Sequence, residues 1–188
     1  MGTTIMSDLT VGQAGGRGQV IRRNPNTGKR HMDLLDWGLR REMFDGQPEA
    51  PWPIHARAET VQTLRVFREV FAHKRGIAPA TEIYLKQSVG GTDKRFAISR
   101  ADGQPMAQAA LWEAFTRPDG GIVRTYCIVT VEATGDVAAI HDRMPLVLEP
   151  EDWALWLGET EGDPASLLRP SAPGVLVARP VGDRKRSG

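Results

Sequence analysis

Between residues 82 and 131 one pattern recurs: a strand-length run, then a tight glycine turn. The runs Glu82–Lys86, Phe96–Ser99, Ala107–Trp112 and Val123–Val131 are separated by Gly90-Gly91, by Asp102-Gly103 and by Asp119-Gly120-Gly121. Glycine reaches positive φ at no steric cost, so each separator suits a reversal between antiparallel neighbours. A chain written this way can hardly be a helical bundle. It predicts a meander of antiparallel strands.

The same grammar appears earlier. Gln19–Arg22 reads as a strand, Asn24-Pro25-Asn26-Thr27-Gly28 as a turn, and Met32–Leu35 as the returning strand. Trp37-Gly38-Leu39 follows, and residues 47–53 form a Pro-rich loop. From Thr60 to about His73 the period changes to that of a helix. Val61, Leu64, Phe67 and Phe71 share a stripe, with Thr60 as the expected N-cap. A strand at Leu146–Leu148 leads to a short helix opening at Pro150, with Trp153, Leu155, Trp156 and Leu157 on its buried side. A last apolar run covers Val175–Ala178. Strands in series with a few separated helices give the α+β class in one domain.

Composition excludes more than it selects. A formal net charge of +1 announces no nucleic-acid partner, although a local basic face could still hold one. One cysteine excludes a disulfide framework and any Cys-rich metal site, and it fits a cytoplasmic setting. No signal peptide is read at the N-terminus, and no run is long enough for a membrane-spanning helix. The glycines of Gly12–Gly18 lack the spacing of a phosphate loop. The histidines at 31, 55, 73 and 141 are scattered, with no HxH or HxxxH pair, so no metal site and no cofactor is expected. Cys127 lies in an apolar strand, the setting of a small buried hydrophobe. Arg184-Lys185-Arg186 is read as a solvated basic terminus.

Two segments concentrate polar chemistry. His55-Ala56-Arg57-Ala58-Glu59-Thr60 sets an imidazole, a guanidinium and a carboxylate just before the helix pattern. Ile140-His141-Asp142-Arg143-Met144-Pro145 does the same ahead of a strand. Histidine suits proton transfer near neutral pH, and arginine offers a planar fork for phosphate. By residue type alone, each segment could equally be a structural ion pair.

These segments resemble motifs of the SOS-response-associated peptidase (SRAP) family. The first is similar to its Asn-Ala-Arg-x-Glu-Thr, and the second matches its Ile-His-Asp-Arg-Met-Pro. Arg75–Ala80, Asp102–Pro105, Ala109–Glu113, Ile128–Thr130, Trp37–Leu39 and Pro150–Leu157 resemble further family stretches in the same order. The resemblance implies one domain of mostly antiparallel strands forming a curved, barrel-like sheet with a few flanking helices. Its expected bounds are 19–180, between a flexible N-terminus (1–18) and a basic tail (181–188). It also implies recognition of abasic sites in single-stranded DNA. In the family, an N-terminal cysteine attacks the open-chain sugar aldehyde and closes a thiazolidine ring, assisted by an Asn, a Glu and a His.

Carried over by position, the resemblance makes His141 the proton-transfer residue and puts Thr130 on the active-site strand. It assigns Arg57 and Arg143 to flanking phosphates and Trp37 to a base. Three positions depart. His55 stands where the family has Asn, and Leu85 where it has the catalytic Glu. The sequence opens Met1-Gly2 instead of Met-Cys. Glu82 falls on the opposite side of an extended strand from residue 85 and is a poor replacement. The expectation is therefore abasic single-stranded DNA binding without a stable thiazolidine. The alternatives are a transient Schiff-base lyase, or an inactive scaffold serving as a protein-binding module.

Overall fold

The structure is a computed structural model that describes residues 16–40, 52–89 and 92–181. The Gly90-Gly91 turn, the Arg184–Arg186 run, most of the Pro-rich loop and the N-terminal segment up to residue 15 lie outside the described residues. Among the described residues ten strands are present. The larger sheet takes β1 (Arg17–Arg23), β2 (Arg30–Trp37), β3 (His55–Arg57), β4 (Arg75–Ala80), β7 (Met106–Thr116), β8 (Ile122–Glu132) and β9 (Arg143–Pro145). The smaller takes β5 (Ile83–Val89), β6 (Thr92–Arg100) and β10 (Leu176–Val181). Three short helices accompany them: α1 (Arg68–His73), α2 (Gly135–Ala138) and α3 (Trp153–Leu157). Among the described residues no helix is long and apolar enough to cross a membrane.

The larger sheet closes on itself. Its order runs β2-β1-β4-β7-β8, and β2 returns to pair in parallel with β8, Asp36 against Thr125 and Trp37 against Tyr126. The result is a closed five-stranded barrel, which removes the open edges that a flat sheet would leave. The fold class expected from the sequence holds. Beyond the β2 contact, β8 carries β3 in parallel at Ile128–Thr130, and β9 antiparallel at Thr130–Glu132.

Side-chain alternation sorts the barrel strands into two faces. Val20, Leu35, Ala78, Ala110, Tyr126 and Ile128, drawn from all five barrel strands, fill the lumen, with Trp37 and Trp112 packed against them. The alternate residues, among them Ile77, Ala109, Leu111, Cys127 and Val129, face the larger outer core. The fully buried Trp156 of α3 and apolar residues of the smaller sheet join that core. Gly76 permits the close approach of β1 and β4, since a Cβ there would lie 2.8 Å from the Val20 side chain and 3.1 Å from the Ile21 carbonyl.

The first hairpin forms as expected, with Gly28 at φ +68° and the Asn24 carboxamide oxygen accepting from the Asn26 and Thr27 amides. The 3-10 turn Pro150–Asp152 running into α3 also matches the sequence reading. The helix expected from Thr60 does not. Residues 58–67 form successive turns, and only Arg68–His73 is α-helical. Thr60 does not cap it, and its hydroxyl points back to the Arg57 carbonyl at 3.5 Å. The stripe was read correctly as a burial pattern, because Val61, Phe67 and Phe71 are buried, but Leu64 is exposed. The β-branched Thr60, Val61, Thr63 and Val66 disfavour the continuous helix that their spacing suggested.

The barrel has two mouths. At the one where β1 ends and β7 leaves, Arg22 is buried with its guanidinium 4.4 Å from the centre of the Trp112 ring. The Arg22 Nε donates to Asp33 at 2.7 Å, and His31 lies 3.0 Å from the same carboxylate. Burial would raise the Asp33 carboxyl, but Arg22 and His31 outweigh it and hold its pKa below the usual carboxylate value. Lys74 pairs with the buried Glu113 beside the same tryptophan. In this mouth Arg22, Lys74, Asp33 and Glu113 all sit in opposite-charge pairs.

Candidate functional site

The other mouth opens into a cleft of about 650 Å³. Its walls come from residues far apart in sequence: Trp37 from β2, His55 and Arg57 from β3, Leu85 from β5, Thr130 from β8, and His141 and Arg143 at β9. All six candidate site residues read from the sequence line this one cleft.

β3 is the element that delivers the first polar segment. It lies in parallel register along β8, His55 against Ile128 and Arg57 against Thr130, so alternation buries Ala56 between two side chains that face outward. The indole of Trp37 donates to the Ile54 carbonyl at 3.1 Å, and its ring meets His55 edge-on, with centroids 5.9 Å apart. The His55 pKa is lowered from the usual histidine value. Desolvation by the surrounding cleft is the first cause, although one edge of the ring is open, and the nearby His141 imidazole is the second. The structure thus brings together two histidines that the sequence showed only as scattered. Among the described residues no three metal-binding side chains cluster, so the pair does not extend to a metal cage.

His141 follows α2 in a tight turn. The Arg143 amide lies 2.9 Å and the Arg143 carbonyl oxygen 3.1 Å from its Nδ1, so that nitrogen can accept from the amide in one tautomer or donate to the carbonyl in the other. When the ring is charged, Nδ1–H has the Asp142 carboxylate at 3.0 Å.

The two arginines differ. Arg57 is exposed at the rim, and among the described residues no carboxylate lies within ion-pair distance of it. Arg143 is mostly covered. Its two terminal nitrogens grip both Glu59 oxygens at 2.8 and 2.9 Å, and one also reaches the Thr130 carbonyl at 2.6 Å. Its Nε is buried without a partner. The Arg143 pairing holds the Glu59 carboxyl below the usual value despite some opposing burial. Thus the ion pair that either polar segment could have made alone is made between them, Glu59 from one and Arg143 from the other.

Leu85 sits on the cleft wall at the position read as the family's glutamate, and it packs against the outer core. Glu82 is outside the cleft, held at 2.5 Å by Arg179 and at 3.1 Å by the Tyr84 hydroxyl. Cys127 is fully buried on the outer face of β8, between lumen-facing Tyr126 and Ile128, and burial pushes its thiol pKa far up. Among the wall residues that sequence reasoning missed are Tyr126 and Gly18. Tyr126 is buried and pushed up to about 12 by desolvation. Gly18 passes directly over it, where a Cβ would fall 2.1 Å from the phenolic oxygen. Only the three-dimensional register puts these two together.

Residues 13–185 match the family described as SOS response associated peptidase (SRAP). The chain is similar to the abasic site processing protein YedK of Escherichia coli strain K12, 35% identical over 169 residues, covering 84% of this chain and 72% of that one. It is likewise similar to the abasic site processing protein YoqW of Bacillus subtilis strain 168, 33% identical over 143 residues. That match covers 74% of this chain but 64% of the relative, so this chain spans just under two thirds of YoqW. In fold it resembles a crystal structure of a protein from Bacteroides thetaiotaomicron, with TM-score 0.77 and 22% identity, covering 90% of this chain and 75% of that one. A protein from Bordetella bronchiseptica gives TM-score 0.75 and 27% identity, covering 88% and 84%.

Proposed function

The chain belongs to the SOS response associated peptidase family, and from that premise we propose that it binds abasic sites in single-stranded DNA in the Trp37 mouth of its barrel, without a stable thiazolidine cross-link. The observation that carries this reading is the convergence of Trp37, His55, Arg57, Thr130, His141 and Arg143 on one cleft. An exposed guanidinium at the rim suits a backbone phosphate, and an indole face suits a neighbouring base. The relatives are named for abasic site processing, and a damaged strand in the cytoplasm is the corresponding partner here.

The chemistry proposed is weaker than the family's. Leu85 cannot move a proton; among the described residues Glu82 is outside the cleft, Glu59 is held by Arg143, and Asp142, which does line the cleft, lies against the His141 ring instead. Among the described residues the one thiol, Cys127, faces away from the cleft. His141 keeps the geometry of a proton carrier, and His55 adds a second imidazole where the family has an amide.

The reading is tested by fluorescence anisotropy with a labelled single strand carrying an abasic analogue. Binding is expected to prefer the single strand over duplex and to weaken with salt. Arg57→Ala should weaken binding about tenfold and make the salt dependence shallower by about one phosphate contact. Equal affinity for duplex, together with no effect of Arg57→Ala, would overturn it. A true aldehyde-bearing abasic strand separately tests the covalent part: an adduct that survives heat in detergent would overturn the absence of a stable cross-link. The pair of imidazoles favours one second reading, in which a primary amine of the protein adds to the sugar aldehyde and loses water to give a transient imine. An imidazole then takes the proton whose loss cleaves the strand, and borohydride would trap the imine as a covalent adduct.

A further inference from the structure

Arg143 is an unusual choice for a DNA contact, because both its terminal nitrogens are already taken. Glu59 holds them in a two-bond pair at 2.8 and 2.9 Å. Three features make that pair exchangeable. The Glu59 side chain is 53% exposed, so it can turn into water without loss of packing. An ion pair with one partner in water is weakly held. The Arg143 Nε is buried and unpartnered, so the pair is not the fully satisfied network that resists rearrangement. A phosphodiester offers the same two-oxygen face as a carboxylate and can take over the fork.

Depth gives the exchange its meaning. Arg57 stands exposed at the rim, whereas the Arg143 side chain is only 17% exposed and is bonded to the Thr130 carbonyl on the cleft wall. Bases on every sugar hinder, without preventing, the approach of an ordinary backbone to Arg143, so its phosphate meets the fork too weakly to displace Glu59. A sugar without a base lets the backbone sink toward Arg143. We infer that Glu59 is a specificity-determining residue: it masks Arg143 against ordinary strands and yields it to the backbone of a baseless sugar. This inference rests on the DNA-binding reading above. Glu59 touches neither strand. It acts through Arg143.

The test uses Glu59→Gln, which keeps the size of the side chain and removes its charge. Affinities are measured by anisotropy for an undamaged single strand and for the same strand with one tetrahydrofuran abasic analogue, over a series of salt concentrations. With the unsubstituted protein, the abasic strand should bind more tightly. In the variant, affinity for the undamaged strand should rise about tenfold, with salt dependence steeper by about one contact, and the preference for the abasic strand should shrink. A purely structural role for Glu59 would instead weaken both strands together. Weaker binding or an unchanged preference overturns the inference. Arg143→Lys provides a second reading: it keeps the charge but loses the fork, so affinity for the abasic strand should fall more than affinity for the undamaged strand and the abasic preference should shrink. Retained preference in Arg143→Lys also overturns the inference. If the unsubstituted protein binds neither strand, the DNA reading itself fails, and this inference with it.

Discussion

The two mouths of the barrel are built from the same five strands and end in opposite electrostatic states. In one, Arg22 pairs with Asp33, His31 lies against the same carboxylate and Lys74 pairs with Glu113 around Trp112, although the His31 Nδ1 is buried without a partner and Arg124 also lines this mouth. In the other, a tryptophan again anchors the wall, but the rim arginine is unmatched, the second arginine is held by a half-exposed carboxylate, and two imidazoles share the space. The first mouth also opens into a pocket, of about 800 Å³, but most of the charges around it are already paired with one another. An end that leaves a cation unmatched gives up some stability for recognition. The family resemblance alone did not show this division, because charged residues line both mouths.

The sharpest way to break the comparison is to damage the matched mouth. Arg22→Ala removes a buried cation and strands Asp33. Unfolding in urea should show a loss of about 3 kcal/mol, the lower end for a broken buried pair because Asp33 keeps some water. DNA affinity measured well below the unfolding transition should be unchanged. A large loss of affinity there would mean that the mouths are not separable.

The next effect falls on the wall of the open mouth. Gly18→Ala drives a methyl group against the Tyr126 hydroxyl, and should destabilise by about 1–2 kcal/mol as an overpacking change. Adding Tyr126→Phe removes the atom in the way, so the double variant should recover much of the loss in a double-mutant cycle. Strict additivity would show that the clash is relieved elsewhere.

The smallest effect concerns His55. Its folded pKa lies below the unfolded value of 6.5, so the folded protein holds fewer protons in that window. The stability contributed by neutral His55 is complete above 6.5 and is lost as the pH falls through the lowered folded pKa. Melting temperatures from pH 7 down to about 5 should fall more steeply for the unsubstituted protein than for His55→Asn. Parallel curves would mean that the cleft does not desolvate this ring.

The strands between residues 82 and 131, the first hairpin and the residues of the open mouth were legible in the sequence, for two different reasons, but the reversal expected at Asp102-Gly103 does not pair its neighbours, because β6 and β7 lie in different sheets. Glycine turns and alternation are local signals, so β6, β7 and β8 could be placed from them. The site residues came instead from motif order, which carries no geometry. What stayed hidden depends on contacts between distant segments. β4 contains Gly76 and Pro79, which locally argue against a strand, yet β1 and β7 flank it on both sides. β3 is three residues long and exists because β8 offers it an edge. The Thr60 region was misread because burial there follows a helical period that its β-branched residues do not sustain. The Glu59–Arg143 grip and the shared space of His55 and His141 follow from the same long-range closure.

The parallel seam between β2 and β8 also has a kinetic consequence. It joins segments from opposite halves of the chain, and contacts of that kind are late and slow to form because a long loop must first be ordered. Until the seam shuts, Trp37 has no His55 beside it and β3 is not held against β8 next to β9. A partly folded chain therefore has no cleft at all. Amide exchange at Trp37 and Tyr126 should recover together with the ability to bind a strand, so that only completed molecules compete for damage.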